Sequence, residues 1–218
     1  MKRIDKRLLK VTKNGDLDEV IELINLGANP NVVDDYGMTP LHWASKKGYT
    51  EIVSYLLKVA PNTVKKKDDD GMTPLHYASR KGHTKVVLLL LKMAPNIAKE
   101  KNEYNWTPLH EAAWNRHTKV ISLLLKVAPD TAQIKSNTDE MPLHYACSWG
   151  STKTIPFFLI VAPDTVNVKN DNKETALYKV KEDNKKKRIQ TLFTSISIKL
   201  ETEMFKINKK YIKKKYLF

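Results

Sequence analysis

The sequence predicts an all-α fold, a one-dimensional stack of helix pairs, and three observations predict it. A pattern returns every 34 residues: Thr39-Pro40-Leu41-His42 recurs as Thr73-Pro74-Leu75-His76, Thr107-Pro108-Leu109-His110 and Met141-Pro142-Leu143-His144, then fades to Thr175-Ala176-Leu177-Tyr178. Each copy contains two short stretches with helical apolar spacing. Between copies runs a polar segment with a tight-turn pair such as Asp70-Gly71. Helices of about eight to ten residues are marginal in isolation, so each copy must bury its apolar face on the next.

The elements follow in chain order. Residues 1–34 read as an N-terminal capping unit, with polar Lys6, Arg7 and Lys10 in place of the Thr-Pro-Leu-His start. A terminal unit needs a wet outer face, or the stack would go on adding units. Four full units follow at 35–68, 69–102, 103–136 and 137–170. In the first of these, Thr39 is suited to the N-cap and Pro40 to the first helical position, where a missing N–H is no loss. Leu41 and Ala44 share a face, and Gly48 is placed to end the helix. Thr50 can open a second helix whose stripe is Ile52, Val53, Leu56 and Leu57, with Pro61 after its end. Residues 171–193 read as a C-terminal capping unit with Lys179, Lys181 and Lys185 to Arg188 outward. Six helix pairs are expected in all, two of them caps.

Local departures fall in the third and fourth full units. Arg116 replaces the helix-ending glycine of Gly48, Gly82 and Gly150, which demands a left-handed backbone or a different helix end. Asn105 and Asp139 replace Gly37 and Gly71, a conformation both tolerate. Pro156 sits in the first turns of an outer helix and should shorten or bend it. Ile160 stands where Lys58, Lys92 and Lys126 face water, so an apolar back surface with Phe157 and Phe158 is expected there. Residues 194–218 form a basic tail without the repeat. Leu200, Met204, Ile207 and Tyr211 keep helical spacing, and three readings stay open: a helix docked on the last unit, a disordered arm, or a segment drawn to nucleic acid or acidic lipid.

Thr-Pro-Leu-His heading the first helix, a Leu pair in the second and an Asp-Gly turn between units together resemble the ankyrin-repeat signature, over about residues 5–193. The departure is length: the full units take 34 residues where that family usually takes 33, and the extra residue falls in segments such as Val59-Ala60-Pro61-Asn62-Thr63-Val64. The resemblance implies a solenoid of helix-turn-helix units joined by β-turn fingers, a non-catalytic scaffold that contacts a partner protein along a concave groove.

The residues themselves point away from catalysis. No glycine-rich phosphate cradle occurs, and lone Cys147 has no histidine–carboxylate pair to activate it and excludes an internal disulfide. His42, His76, His110 and His144 form a column, but equivalent residues on stacked helices lie roughly 8–10 Å apart, too far to share one zinc. A hydrogen-bonded link between units is expected of them instead. No catalytic, metal or cofactor site is expected.

Columns that recur serve stacking, and columns that vary are free to serve a partner. Those at the finger tips give Tyr36, Met38, Asp69, Asp70, Met72, Tyr104 and Trp106; those at the end of the first helix give Lys46, Lys47, Arg80, Lys81, Trp114, Asn115 and Trp149. These fourteen are the expected partner-binding residues, with tryptophan and tyrosine as the anchors. Of the net charge of +14, residues 176–218 carry 13 Lys/Arg against 4 acids, so the basicity belongs mainly to that end. A second reading therefore makes the chain an electrostatic targeting protein whose basic end meets nucleic acid or an acidic membrane. With no apolar run long enough for a leader or a membrane span, an intracellular monomer in cytoplasm or nucleus is expected.

Overall fold

The structure is a computed structural model that describes residues 1–181, 184–196, 198, 199 and 202. Five helix pairs follow one another: α1 (Arg3–Asn14) with α2 (Leu17–Asn25), α3 (Pro40–Lys47) with α4 (Thr50–Val59), α5 (Pro74–Lys81) with α6 (Thr84–Met93), α7 (Pro108–Trp114) with α8 (Thr118–Val127), and α9 (Pro142–Ser148) with α10 (Ile155–Val161). The odd-numbered helices pack on one another as an inner row, and the even-numbered ones as an outer row. Leu41, Leu75, Leu109 and Leu143 are fully buried at equivalent places, and one apolar core runs unbroken from Leu8 to Phe193.

The recurring motif explains each joint. Thr39 caps α3, where its hydroxyl accepts from the His42 N–H at 3.3 Å, while the Thr39 N–H donates to His42 Nδ1 at 3.1 Å. With Nδ1 accepting, the ring proton sits on Nε2, which donates to the Met72 carbonyl of the following finger at 3.0 Å. His76, His110 and His144 repeat this, reaching the carbonyls of Trp106, Glu140 and Val168 at 3.0, 3.3 and 3.2 Å. The histidine column is thus a chain of buried links. In the fourth full unit Met141 lacks the capping hydroxyl, and only the Met141 N–H to His144 Nδ1 half of the arrangement remains, at 3.1 Å.

The extra residue of each unit is absorbed in a short 3-10 turn, at Pro61–Lys65, Pro95–Lys99, Pro129–Gln133 and Pro163–Asn167. In three of them a buried threonine hydroxyl (Thr63, Thr131, Thr165) donates to the alanine carbonyl three residues earlier at 2.6 Å. Sequence periodicity did not foretell this element. The fingers are each closed by a side chain that accepts two backbone N–H groups: Asp34, Asp68, Asn102 and Ser136. Successive fingers are joined by single backbone bonds, as from the Glu103 N–H to the Asp70 carbonyl at 3.1 Å.

The departures act as physics requires. Arg116, Asn105 and Asp139 adopt positive φ of 62°, 56° and 56°, and α7 ends at Trp114 where α3 and α5 run one residue further. Pro156 shortens α10 to seven residues against ten in α8. Phe158 is fully buried, Phe157 half-buried against the core, and Ile160 is 62% exposed. The last unit corrects the expectation of six helix pairs. Its first half, residues 176–180, forms turns only, preceded by an isolated antiparallel bridge between Lys169 and Thr175. Its second half is helical over 184–196, with Ile189 and Phe193 in the core. The helix expected from Leu200, Met204, Ile207 and Tyr211 lies outside the described residues. No helix among the described residues is long and apolar enough to cross a membrane.

Candidate partner-binding groove

The fingers and the C-terminal ends of the inner helices border a groove along the concave side. Its first section is small, about 220 Å³, and lies between Tyr36, Trp43, Lys46, Asp69, Asp70 and Tyr77. Trp43 Nε1 donates to Asp34 at 2.8 Å, and Lys13 and Lys46 lie over its ring at 4.1 and 4.8 Å from the centroid. Burial, together with the charges of Lys81 and Arg80, holds the Lys46 ammonium pKa below the usual range. Tyr77 donates to Asp68 at 2.5 Å, and burial and that carboxylate push its phenol upward.

The second section is larger, about 720 Å³, and its floor is aromatic. The Trp106 ring lies 4.7 Å from Tyr145 and 6.0 Å from Trp114, centroid to centroid. Trp114 in turn meets Tyr145 at 5.6 Å and Trp149 at 5.4 Å, both edge-on. Beside this cluster Arg80 forks onto Glu111 through two bonds of 2.8 Å. Glu111 is 1% exposed, so without the guanidinium a carboxylate would be left buried and alone. That pairing raises the Arg80 pKa, against burial. Lys179 closes the far side through Glu140 at 2.7 Å. Both charge pairs are internally neutralised, which leaves the section largely apolar.

Beyond Trp114 and Trp149 a third section of about 730 Å³ is bordered by Arg116, Tyr178, Lys179, Lys181 and Lys185, with Glu174 as its carboxylate. The Arg116 guanidinium stands over the Trp149 ring at 5.5 Å. The two tryptophans therefore form a ridge between an apolar section and a cationic one, and are 42% and 45% exposed.

The expected residues separate into four groups. Tyr36, Tyr104, Asp69, Asp70, Lys47, Lys81, Trp114 and Trp149 are exposed along the groove; Lys46, Asn115 and Trp106 are half-buried in it. Arg80 lines it but is committed to Glu111. Met38 and Met72 are corrections: at 3% and 1% exposed they cannot meet a partner. The cause is the finger turn set by Asp34 and Asp68, which rotates that column inward, where both methionines pack with Tyr77. Trp106 occupies the same column and is held half-buried by the same turn. Missed from the sequence were Glu111 and Tyr145 as groove lining. Their column (Trp43, Tyr77, Glu111, Tyr145) recurs at 34-residue steps, and its single carboxylate opposite Arg80 was the available signal.

Cys147 is fully buried, and burial pushes its thiol well above the usual range, so it is a core residue. Among the described residues no three His, Cys, Asp or Glu side chains converge where a metal could sit.

Such a stack with an open groove is a repeat scaffold of the macromolecule-recognition class. A profile described as ankyrin repeats (3 copies) matches residues 8–100, 64–137 and 93–165, and the chain belongs to the ankyrin-repeat family. Relatives include myotrophin of Xenopus tropicalis, 40% identical over 58 residues, which are 27% of this chain and 49% of that protein. The 26S proteasome non-ATPase regulatory subunit 10 of Dictyostelium discoideum is 43% identical over 60 residues, 26% of each chain. A palmitoyltransferase of Saccharomyces cerevisiae is 39% identical over 51 residues, 23% of this chain and 7% of that protein. The matched segments thus span from 7% to about half of these relatives' lengths. Ankyrin repeats are protein-interaction modules and as a family generally non-catalytic.

Proposed function

We propose that this chain is a non-catalytic adaptor that holds a partner protein in the concave groove, anchored on the tryptophan ridge. The observation that carries the reading is the exposure of Trp114 and Trp149 in columns where the earlier units place Arg80, Lys81 and Lys46, Lys47. Large aromatic side chains left 40–50% exposed beside an apolar hollow supply contact area at little loss of side-chain freedom. The test is site-specific photo-crosslinking in cells. A crosslinker at Asn115, on the ridge, should trap a discrete protein partner, while one at Lys92, on the outer row, should trap none. Trapping from Lys92 alone would place recognition on the wrong face.

A further inference from the structure

The two rims of the groove carry opposite charge. On the helix-edge rim stand Lys47, Lys81, Arg116 and Lys181; on the finger rim stand Asp35, Asp69, Asp70 and Glu103. Among the described residues none of these eight takes part in an ion pair within 4 Å, and apart from Arg116, which touches Trp149, they face water. Lys46 and Asp69 border the same hollow, so the rims face each other across one groove.

We infer that the occupant is an extended polypeptide segment with acidic side chains along one edge and an apolar side chain near its middle. The inference rests on the groove reading above and names its partner class. Alternate side chains of an extended chain point to opposite sides, with a neutral backbone between them. Acids at every second position would then run along the cationic rim, and polar or basic residues along the finger rim. An apolar side chain between them meets the hollow of Trp106, Trp114 and Tyr145. The carboxylates next to it meet Arg116 and Lys181 beyond the ridge. The other occupants fit worse. A nucleic-acid strand carries a phosphate at each step and no compensating cation for the acidic rim. A second copy brings a net charge of +14, and the chain's own 206–215 stretch is lysine-rich, so both oppose the cationic rim.

Fluorescence anisotropy on the full chain tests this with a labelled peptide of about 12 residues, Glu alternating with Ser around one central Leu, which spans roughly 40 Å, about four units. Its Lys-for-Glu counterpart and an oligothymidylate are the competitors. The acidic peptide should bind, with both competitors at least roughly tenfold weaker. Arg116→Gly combined with Lys181→Glu should weaken the acidic peptide by about tenfold without lowering the melting midpoint. If that pair fails to fold, Lys81→Glu serves the same purpose on another unit. No binding of the acidic peptide, equal binding of either competitor, or indifference to the rim variants overturns the inference. Should both peptides bind equally and Trp114→Ala abolish both, only the charge preference falls and the groove stands. Should the acidic peptide bind yet ignore Trp114→Ala and the rim variants alike, the groove reading falls too.

Discussion

Ser45 and Ser79 are fully buried on the inner helices, and their hydroxyls have no hydrogen-bond partner. The third full unit carries Ala113 in that column, also buried, so the space accepts a methyl group. Ser45→Ala and Ser79→Ala should each stabilise the chain by about 1 kcal/mol, read as a higher urea midpoint at unchanged slope. A loss of stability would mean that the hydroxyls are satisfied after all. Arg116 is the converse case, a bulky residue at φ 62° where three sister units use glycine. Arg116→Gly should raise stability by about 0.5–1 kcal/mol, measured the same way. Arg116 stood out in the sequence because it broke a column. The inward turn of Met38 and Met72 did not, because it depends on which backbone N–H groups Asp34 and Asp68 gather, and that geometry leaves no trace in hydropathy.

At the scale of the helix joint, the histidine column makes folding sensitive to acid. Burial, outweighing the finger-carbonyl bonds, lowers His76 to about 3 and His110 to about 4. Protonating Nδ1 would also turn it against the N-cap N–H that it accepts. The unfolded chain takes up these protons first, near pH 6.5. The stabilisation is therefore complete above about pH 6.5 and is lost as pH falls toward 4, by about 1.4 kcal/mol per unit for each imidazole. Denaturant titrations between about pH 7 and pH 5 should show the fall, and His110→Gln should flatten it by close to one proton. A pH-independent midpoint would mean that these imidazoles do not set the acid sensitivity of the stack. The column itself was legible in the sequence, as was the short α10 after Pro156. The 3-10 turns were not, since five residues with one threonine–carbonyl bond carry no period to detect.

Across the whole molecule the core is continuous, so damage in the middle should spread to both sides. Leu91 is 4% exposed on α6, and Leu91→Ala should cost roughly 2–5 kcal/mol. Native-state amide exchange should then accelerate in α3 to α8 together instead of in one pair alone. Trp114→Ala with Trp149→Ala should leave exchange nearly unchanged and weaken partner capture by roughly 2–4 kcal/mol. Trp106 belongs with neither group, since its ring covers His110 and Tyr145 and its loss would loosen the joint. The stack was readable from one chain because its copies align; the last unit was less so, because a Thr-Ala-Leu-Tyr start lacks both the proline and the imidazole that set the helix. That missing imidazole gives the molecule unlike ends. Each histidine of the recurring column reaches forward to the following finger, from His42 to Met72 and onward to His144 and Val168, while His83 and His117 reach back to the Lys46 and Arg80 carbonyls. Hooks of one polarity cannot mate like with like, so the histidine column itself offers no two-fold joint between copies at the stack ends. Tyr178 stands where the next hook would be, and the Lys186 ammonium lies 5.6 Å from its ring centre. The chain closes its own row with a blank.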